Sequence, residues 1–256
     1  MRIETKSLSE IKSLQERKLK EQLHYLQSNS PYYKRLFEKR KIEIDNIKTI
    51  EDLVQTPTIT KDDFSNHNFD FLCVSKNKII DYSTTSGTTG SPVTVALTEN
   101  DLQRLAYNEE QSFICANGKH TDVYQLMLTL DRQFMAGMAY YLGIRKLGAG
   151  SVRVGPISPQ MQWENIHRFK PNSIVAVPSF ILKLIDYAEA NGIDVNKSGI
   201  ERRSIVLSGI ILSIILNILY ICVSSCNVNS GIFFITVLNL SMEKEATPET
   251  RATKSC

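Results

Sequence analysis

The chain has 256 residues, 42% of them hydrophobic and 22% charged, which suits one sizeable α/β domain or two small ones. Thirty basic against 27 acidic side chains leave a formal charge of +3, too balanced for a dedicated nucleic-acid binder with a clustered basic face. Twelve glycines and eight prolines exclude collagen-like and low-complexity classes, and the scattered Cys73, Cys115, Cys222, Cys226 and Cys256 lack zinc-ligand spacing, so no metal site is expected.

Met1-Arg2-Ile3-Glu4-Thr5-Lys6 has no apolar core of a secretory signal, so a cytoplasmic, reducing setting with free thiols is expected. Leu8, Ile11, Leu14, Leu19, Leu23 and Leu26 recur at spacings of mostly three and four, which predicts an amphipathic helix over the first 30 residues. Ser30-Pro31 ends it, and a second short helix is expected over Tyr32 to Lys41. Thr49 to Asp52 and Thr60 to Asp63 each place a hydroxyl three residues before a carboxylate, the signature of a helix start.

The character changes near Lys78. Ile79 to Tyr82 reads as a strand, a run of small hydroxylated residues and glycines follows, and Val93, Val95 and Leu97 alternate as on a second strand. A helix carrying Leu102, Leu105, Ala106 and Phe113 is then expected to end near Asn117-Gly118. Strands over Asp122 to Leu130, Ser151 to Val154 and Ser173 to Val177 alternate with helices over Met135 to Leu147, Met161 to Phe169 and from Pro178 to Asn191-Gly192. That alternation predicts an α/β fold with a largely parallel sheet. His120 and His167 have no evident partner in the sequence.

The chemistry concentrates in Thr84-Thr85-Ser86-Gly87-Thr88-Thr89-Gly90-Ser91-Pro92, between two expected strands. Glycines let a backbone turn tightly, converging N–H groups make an anion-binding concavity, and hydroxyls add donors, so phosphate is the expected guest. The string is neither a Walker A loop nor a dinucleotide fingerprint, since G-x-x-x-x-G-K-S/T and G-x-G-x-x-G are both absent from it.

Thr85 to Pro92 resembles the phosphate-binding loop of the adenylate-forming (AMP-binding, acyl-CoA synthetase) superfamily, roughly S/T-S/G-G-T-T-G-x-P. Val93 stands where many members have Lys, and the flanks resemble the phenylacetate–CoA ligase branch. These flanks are Ser30-Pro31-Tyr32-Tyr33-Lys34-Arg35-Leu36-Phe37, Ile47 to Leu53, Pro57 to Asp63, Arg153-Val154-Gly155-Pro156 and Val177-Pro178-Ser179-Phe180. The resemblance implies an incomplete adenylate-forming α/β domain over 78–208 behind a helical lead-in over 1–77, with an atypical apolar segment and polar tail over 209–256.

It implies ATP-dependent activation of an aryl or small carboxylate to an acyl-adenylate, then transfer to coenzyme A, with Mg²⁺ screening the triphosphate. By carry-over Thr85, Ser86, Gly87, Thr88, Thr89 and Gly90 hold phosphates, while Met135, Met138 and Tyr140 line either an acyl pocket or an ordinary core helix. The partners implied are a small carboxylate, ATP and CoA, with a possible homodimer and no nucleic acid.

No catalytic residue is assigned, because after Ser204 to Gly209 the chain has Ile210-Ile211 where the family has Glu-Pro, and the later ribose and lysine motifs are absent. The chain itself is therefore expected to be inactive. From Ser204 to Met242 there are 39 residues without a charge, where the chain average would supply about nine. Three readings stay open for 204–256: a non-native continuation, a membrane anchor over Ile205 to Val223 (about 28 Å as a helix), or buried structure in a shortened domain. A non-catalytic nucleotide- or phosphate-binding module is a further alternative.

Overall fold

A computed structural model describes residues 6–85, 92–200 and 202–205, the last four as backbone. The phosphate-loop residues Ser86 to Ser91, the segment 209–256 and the candidate span beyond Ile205 lie outside the described residues. The described residues divide into two compact units, one ending at Asn100 and the other beginning at Asp101. No helix among the described residues is long and apolar enough to cross a membrane.

In the first unit, α1 (Leu8–Asn29) starts at a capping box. The Ser7 hydroxyl accepts from the Glu10 N–H, and the Glu10 carboxylate accepts from the Ser7 N–H. The apolar stripe read from the spacing is the buried face, with Ile11, Leu19, Leu23 and Leu26 inside. Ser30 serves both neighbours. Its N–H donates to Leu26 O at 2.9 Å to end α1, and its hydroxyl accepts from the Tyr33 N–H to begin α2 (Pro31–Arg40), where Pro31 sits in the first turn.

The Thr60–Asp63 pair opens α3 (Lys61–His67) as a full capping box. The Thr49–Asp52 pair makes the same reciprocal bonds, yet only a 3₁₀ turn follows at Glu51–Gln55. Pro57 explains the early stop, because the residue before a proline is pushed out of helical backbone. Phe71 is fully buried between these helices, stacked on Tyr32 at 3.9 Å and on Phe64 at 4.4 Å between ring centres. The unit ends in an antiparallel hairpin of β1 (Asp81–Thr84) and β2 (Thr94–Leu97), with Asp81 opposite Leu97 and Thr84 opposite Thr94.

The second unit runs α4 (Glu99–Cys115), β3 (Val123–Leu126), α5 (Met135–Leu147), β4 (Gly150–Arg153), α6 (Pro159–Phe169), β5 (Ser173–Ala176), α7 (Pro178–Ala190) and β6 (Arg202–Ile205). Its four strands lie in the order β4-β3-β5-β6, and every neighbouring pair is parallel. The expected alternation is thus present, with α5 matching its expected bounds, β3 and β5 shorter than the apolar runs that announced them and β4 shifted by one residue.

Strand period two sends alternate side chains to opposite faces. Tyr124, Leu126 and Val175 join Phe113 of α4 with Tyr140 and Ile144 of α5 on one face. Met127, Ile174 and Ala176 join Trp163 and Ile166 of α6 with Leu184 and Ala188 of α7 on the other. The chain leaves β3 towards β4, then returns to β3's other side for β5. In such doubly wound sheets the order reverses at a point whose carboxyl-end crevice takes ligands.

Candidate functional site

Within the first unit the hairpin fixes the mouth of the hydroxyl-rich loop. The Thr85 N–H donates to Val93 O, and the Val93 N–H donates to the Thr85 hydroxyl oxygen, both at 3.0 Å. A hydroxyl that accepts in this way keeps its own hydrogen to donate. One residue further on, Asn68 imitates a neighbouring strand. Its amide donates to Thr94 O at 2.7 Å and its carbonyl accepts from the Thr94 N–H at 2.9 Å. Of the six phosphate-binding residues expected from the sequence, Thr85 is the one the structure describes. Ser86, Gly87, Thr88, Thr89 and Gly90 lie outside the described residues.

In the second unit the segment between β3 and α5 occupies the carboxyl end of the sheet. Arg132 and Gln133 stand there in succession at φ 56° and 59°, a left-handed backbone that non-glycine residues rarely adopt. Such strain collects at functional sites when surrounding structure enforces it. Asp131 is held by the Thr129 hydroxyl, which keeps its carboxyl below the ordinary range. α5 begins against this segment, and a Cβ at Gly137 would lie 1.9 Å from Thr129 O, so the close approach requires glycine. Beside it, Gln125 of β3 donates to the Gln162 side chain at 2.8 Å, and Gln162 donates to Gly155 O at 2.7 Å. That chain of amides ties the turn after β4 to β3 and α6.

The three expected pocket residues do not share one face of α5. Met135 and Met138 are three apart and partly exposed, whereas Tyr140 lies about 140° round the helix from Met135 at 100° per residue. Tyr140 is buried in the sheet-facing cluster with Phe113, Leu128 and Ile144.

Tyr140 meets Glu109 of α4, a residue the sequence reading passed over. Glu109 is buried, its Oε2 has no hydrogen-bond partner, and the Tyr140 hydroxyl has none either. Burial pushes the Glu109 carboxyl up to about 7, and burial together with the Glu109 charge raises the Tyr140 hydroxyl. An unsatisfied buried polar group costs about 1–3 kcal/mol. A signal for Glu109 was present. Leu102, Ala106, Glu109 and Phe113 follow helical i, i+4, i+7, i+11 spacing, which puts a carboxylate on the apolar stripe.

The histidines stay outside this arrangement. His120 is exposed, and the His167 Nδ1 lies 2.9 Å from Trp163 O. Among the described residues no group of three or more His, Cys, Asp or Glu side chains could hold a metal ion.

The sequence matches the family described as AMP-binding enzyme over residues 12–218. It is 31% identical over 188 residues to the phenylacetate-coenzyme A ligase of Escherichia coli K12, a match covering 73% of this chain and 43% of that protein. The phenylacetate-coenzyme A ligase of Thermus thermophilus is 26% identical over 204 residues, covering 78% of this chain and 45% of that protein. The fold superposes on a 2-hydroxyisobutyryl-CoA ligase, solved with 2-HIB-AMP and CoA, at a TM-score of 0.70 and 20% identity, over 77% of this chain and 43% of that one. The chain spans less than half the length of the curated relatives it matches.

Proposed function

Because the chain belongs to the AMP-binding enzyme family, we propose that it carries the phosphate-binding part of an ATP-dependent carboxylate–CoA ligase acting on an aryl or similar small carboxylate. The observation that carries this reading is the loop string Thr85 to Pro92 rising from a hairpin whose mouth is pinned by Thr85, Val93 and Asn68. Its donor set is chemically suited to phosphate, with neutral hydroxyls, glycine-rich backbone N–H groups and no carboxylate within the string.

When bound, ATP supplies the activation: the carboxylate displaces pyrophosphate, and CoA then takes the acyl group and releases AMP. In this scheme Thr85 donates its hydroxyl hydrogen to a phosphate oxygen while Val93 holds the hydroxyl in place. Ser86, Thr88 and Thr89 add hydroxyl donors, Gly87 and Gly90 allow close backbone approach, and Mg²⁺ screens the remaining charge. Met135 and Met138 offer the acyl group an apolar surface at the start of α5, and Tyr140 bounds the site from the interior. A cytoplasmic homodimer belongs to the same reading.

Adenylation itself needs groups beyond the phosphate loop, and the segment after Gly209 departs from the family pattern that carries them. Ile210-Ile211 stand at the family's Glu-Pro, and the ribose-holding T-G-D does not occur within these residues. In this reading the 256 residues bind the triphosphate without turnover.

Titration of purified chain with ATP tests the first point. Replacing Gly87 by Asp sets a negative charge against the triphosphate, and binding should weaken about tenfold or more. An identical response in the two proteins removes the phosphate-loop assignment. ATP–pyrophosphate exchange with phenylacetate tests the second point. None is expected, and measurable exchange shows that the missing motifs are dispensable.

A further inference from the structure

α4 and α5 meet at a point that excludes any side chain from one partner. A Cβ at Gly143 would lie 2.2 Å from the Glu109 Cβ and 3.0 Å from the Glu109 backbone carbonyl carbon. The Glu109 side chain therefore leaves the crossing directly into the space one turn along α5, where Tyr140 stands. Both residues are almost fully enclosed, at 2% and 3% exposure, and each presents an unpartnered polar atom, Oε2 and the phenol oxygen. Glu109 and Tyr140 interact electrostatically yet do not hydrogen-bond to one another through these atoms.

The surroundings are largely apolar. Phe113, Tyr124, Leu126, Leu128, Ile144 and Val175 form the rest of the cluster that holds Tyr140, and a leucine and a phenylalanine in place of Glu109 and Tyr140 would leave fewer polar atoms to satisfy. Buried polar groups in native proteins are nearly always bonded. Two adjacent orphans in a hydrocarbon setting therefore mark a place for a guest with its own hydrogen-bonding group. The position suits one. Leu126 ends β3 and Leu128 follows it, so the cluster reaches the carboxyl end of the sheet beside the reversal of strand order.

The chemistry narrows the guest. A carboxyl kept in its neutral form donates one hydrogen bond and accepts others, and a phenol does the same. A hydroxyl both donates and accepts and so matches the pair whether or not the carboxyl is ionised, whereas a carboxylate could only accept.

We propose that Glu109 and Tyr140 form a polar subsite at the inner end of the acyl site, and that it binds a hydroxyl on the carboxylate substrate. The substrate class is then a hydroxylated aryl carboxylate. This rests on the assignment of α5 as the acyl-binding helix.

The test is calorimetric titration of the complete 256-residue chain with phenylacetate and with its 3- and 4-hydroxy derivatives. Wild type should bind one hydroxylated ligand about tenfold more tightly than phenylacetate, since a site built to bond a hydroxyl penalises the analogue that lacks it. Tyr140→Phe and Glu109→Gln should each bring the two affinities within about twofold of one another. The two variants change different helices and nearly preserve side-chain size, so one remains informative if the other misfolds.

Equal affinities in wild type overturn the subsite, meaning that water alone satisfies the pair, and leave the α5 assignment standing. A preference that survives in both variants also overturns it. If neither ligand class binds wild type, the α5 assignment fails and the subsite falls with it.

Discussion

Both units cap element ends locally, the second through Ser158, Asp122 and Asp194, but they differ in where their unsatisfied buried polar atoms lie. In the first, side chains at element ends bond their own neighbours. Ser7 pairs with Glu10, Thr49 with Asp52 and Thr60 with Asp63, while Asn68 pairs with the Thr94 backbone. Its orphaned atoms, on Gln22, Tyr33 and Asp81, are scattered over α1, α2 and β1. In the second unit Asn108 and Gln125 carry such atoms too, and those of Glu109 and Tyr140 come from two helices that meet beside one largely apolar cluster.

The largest expected effect probes whether the first unit stands alone. Phe71→Ala removes the ring stacked between Tyr32 and Phe64 and should cost about 3–5 kcal/mol in urea unfolding. Trp163, the single tryptophan, lies in the second unit, where its indole N–H donates to Leu184 O at 3.0 Å, so its fluorescence reports that unit. Its midpoint should stay near the wild-type value. Coincident loss of both signals would erase the distinction between the units.

Acid–base behaviour sharpens the comparison because the signs differ. Glu109 titrates near 7 in the folded chain against a model value of 4.5. Between those values the unfolded chain releases a proton that the folded chain retains. Stability from this group is complete below about pH 4.5 and falls by about 3 kcal/mol as pH rises to 7. Glu109→Gln should flatten that part of the profile in equilibrium unfolding.

In the first unit, backbone N–H groups of Thr49 and Lys48 hold the Asp52 carboxyl below its ordinary 3.8, and the Ser7 N–H does the same for Glu10. Their stabilisation is present above the ordinary carboxylate values and is lost as pH falls through the depressed ones. A single monotonic trend across both ranges would contradict the contrast.

The smallest effect tests the local caps themselves. Thr60→Ala should cost about 1 kcal/mol, and Thr60→Ser should restore most of it. No change in the urea midpoint would mean that α3 is held by Phe64 and Phe71 packing rather than by its cap.

What was legible in the sequence follows the same division between local and distant contacts. α1 and α5 were readable because their apolar residues recur within single helices, and α5 has the expected ends. Ser30-Pro31 marked a helix boundary through chemistry confined to three residues. Asn68 was invisible because its partner Thr94 lies 26 residues away and no short pattern links an asparagine to a distant strand.

Glu109 was missed for a different reason. It sits between Asn108 and Glu110, which together read as a solvent-facing stretch although helical spacing places Glu109 inward. Met135, Met138 and Tyr140 are neighbours in sequence, but by that same geometry residues three apart share a face and residues five apart do not.

The pinned hairpin has a consequence for how such a loop can change over time. Thr85 and Val93 fix the separation of its ends, and Asn68 locks the register of the departing strand. The entropy of bringing the ends together is met by bonds outside the loop, and it grows only slowly with length. On the phosphate-loop proposal, the sequence between these pinned ends is an exchangeable cassette, in which substitutions or small insertions would alter the ligand preference while the hairpin keeps its pairing.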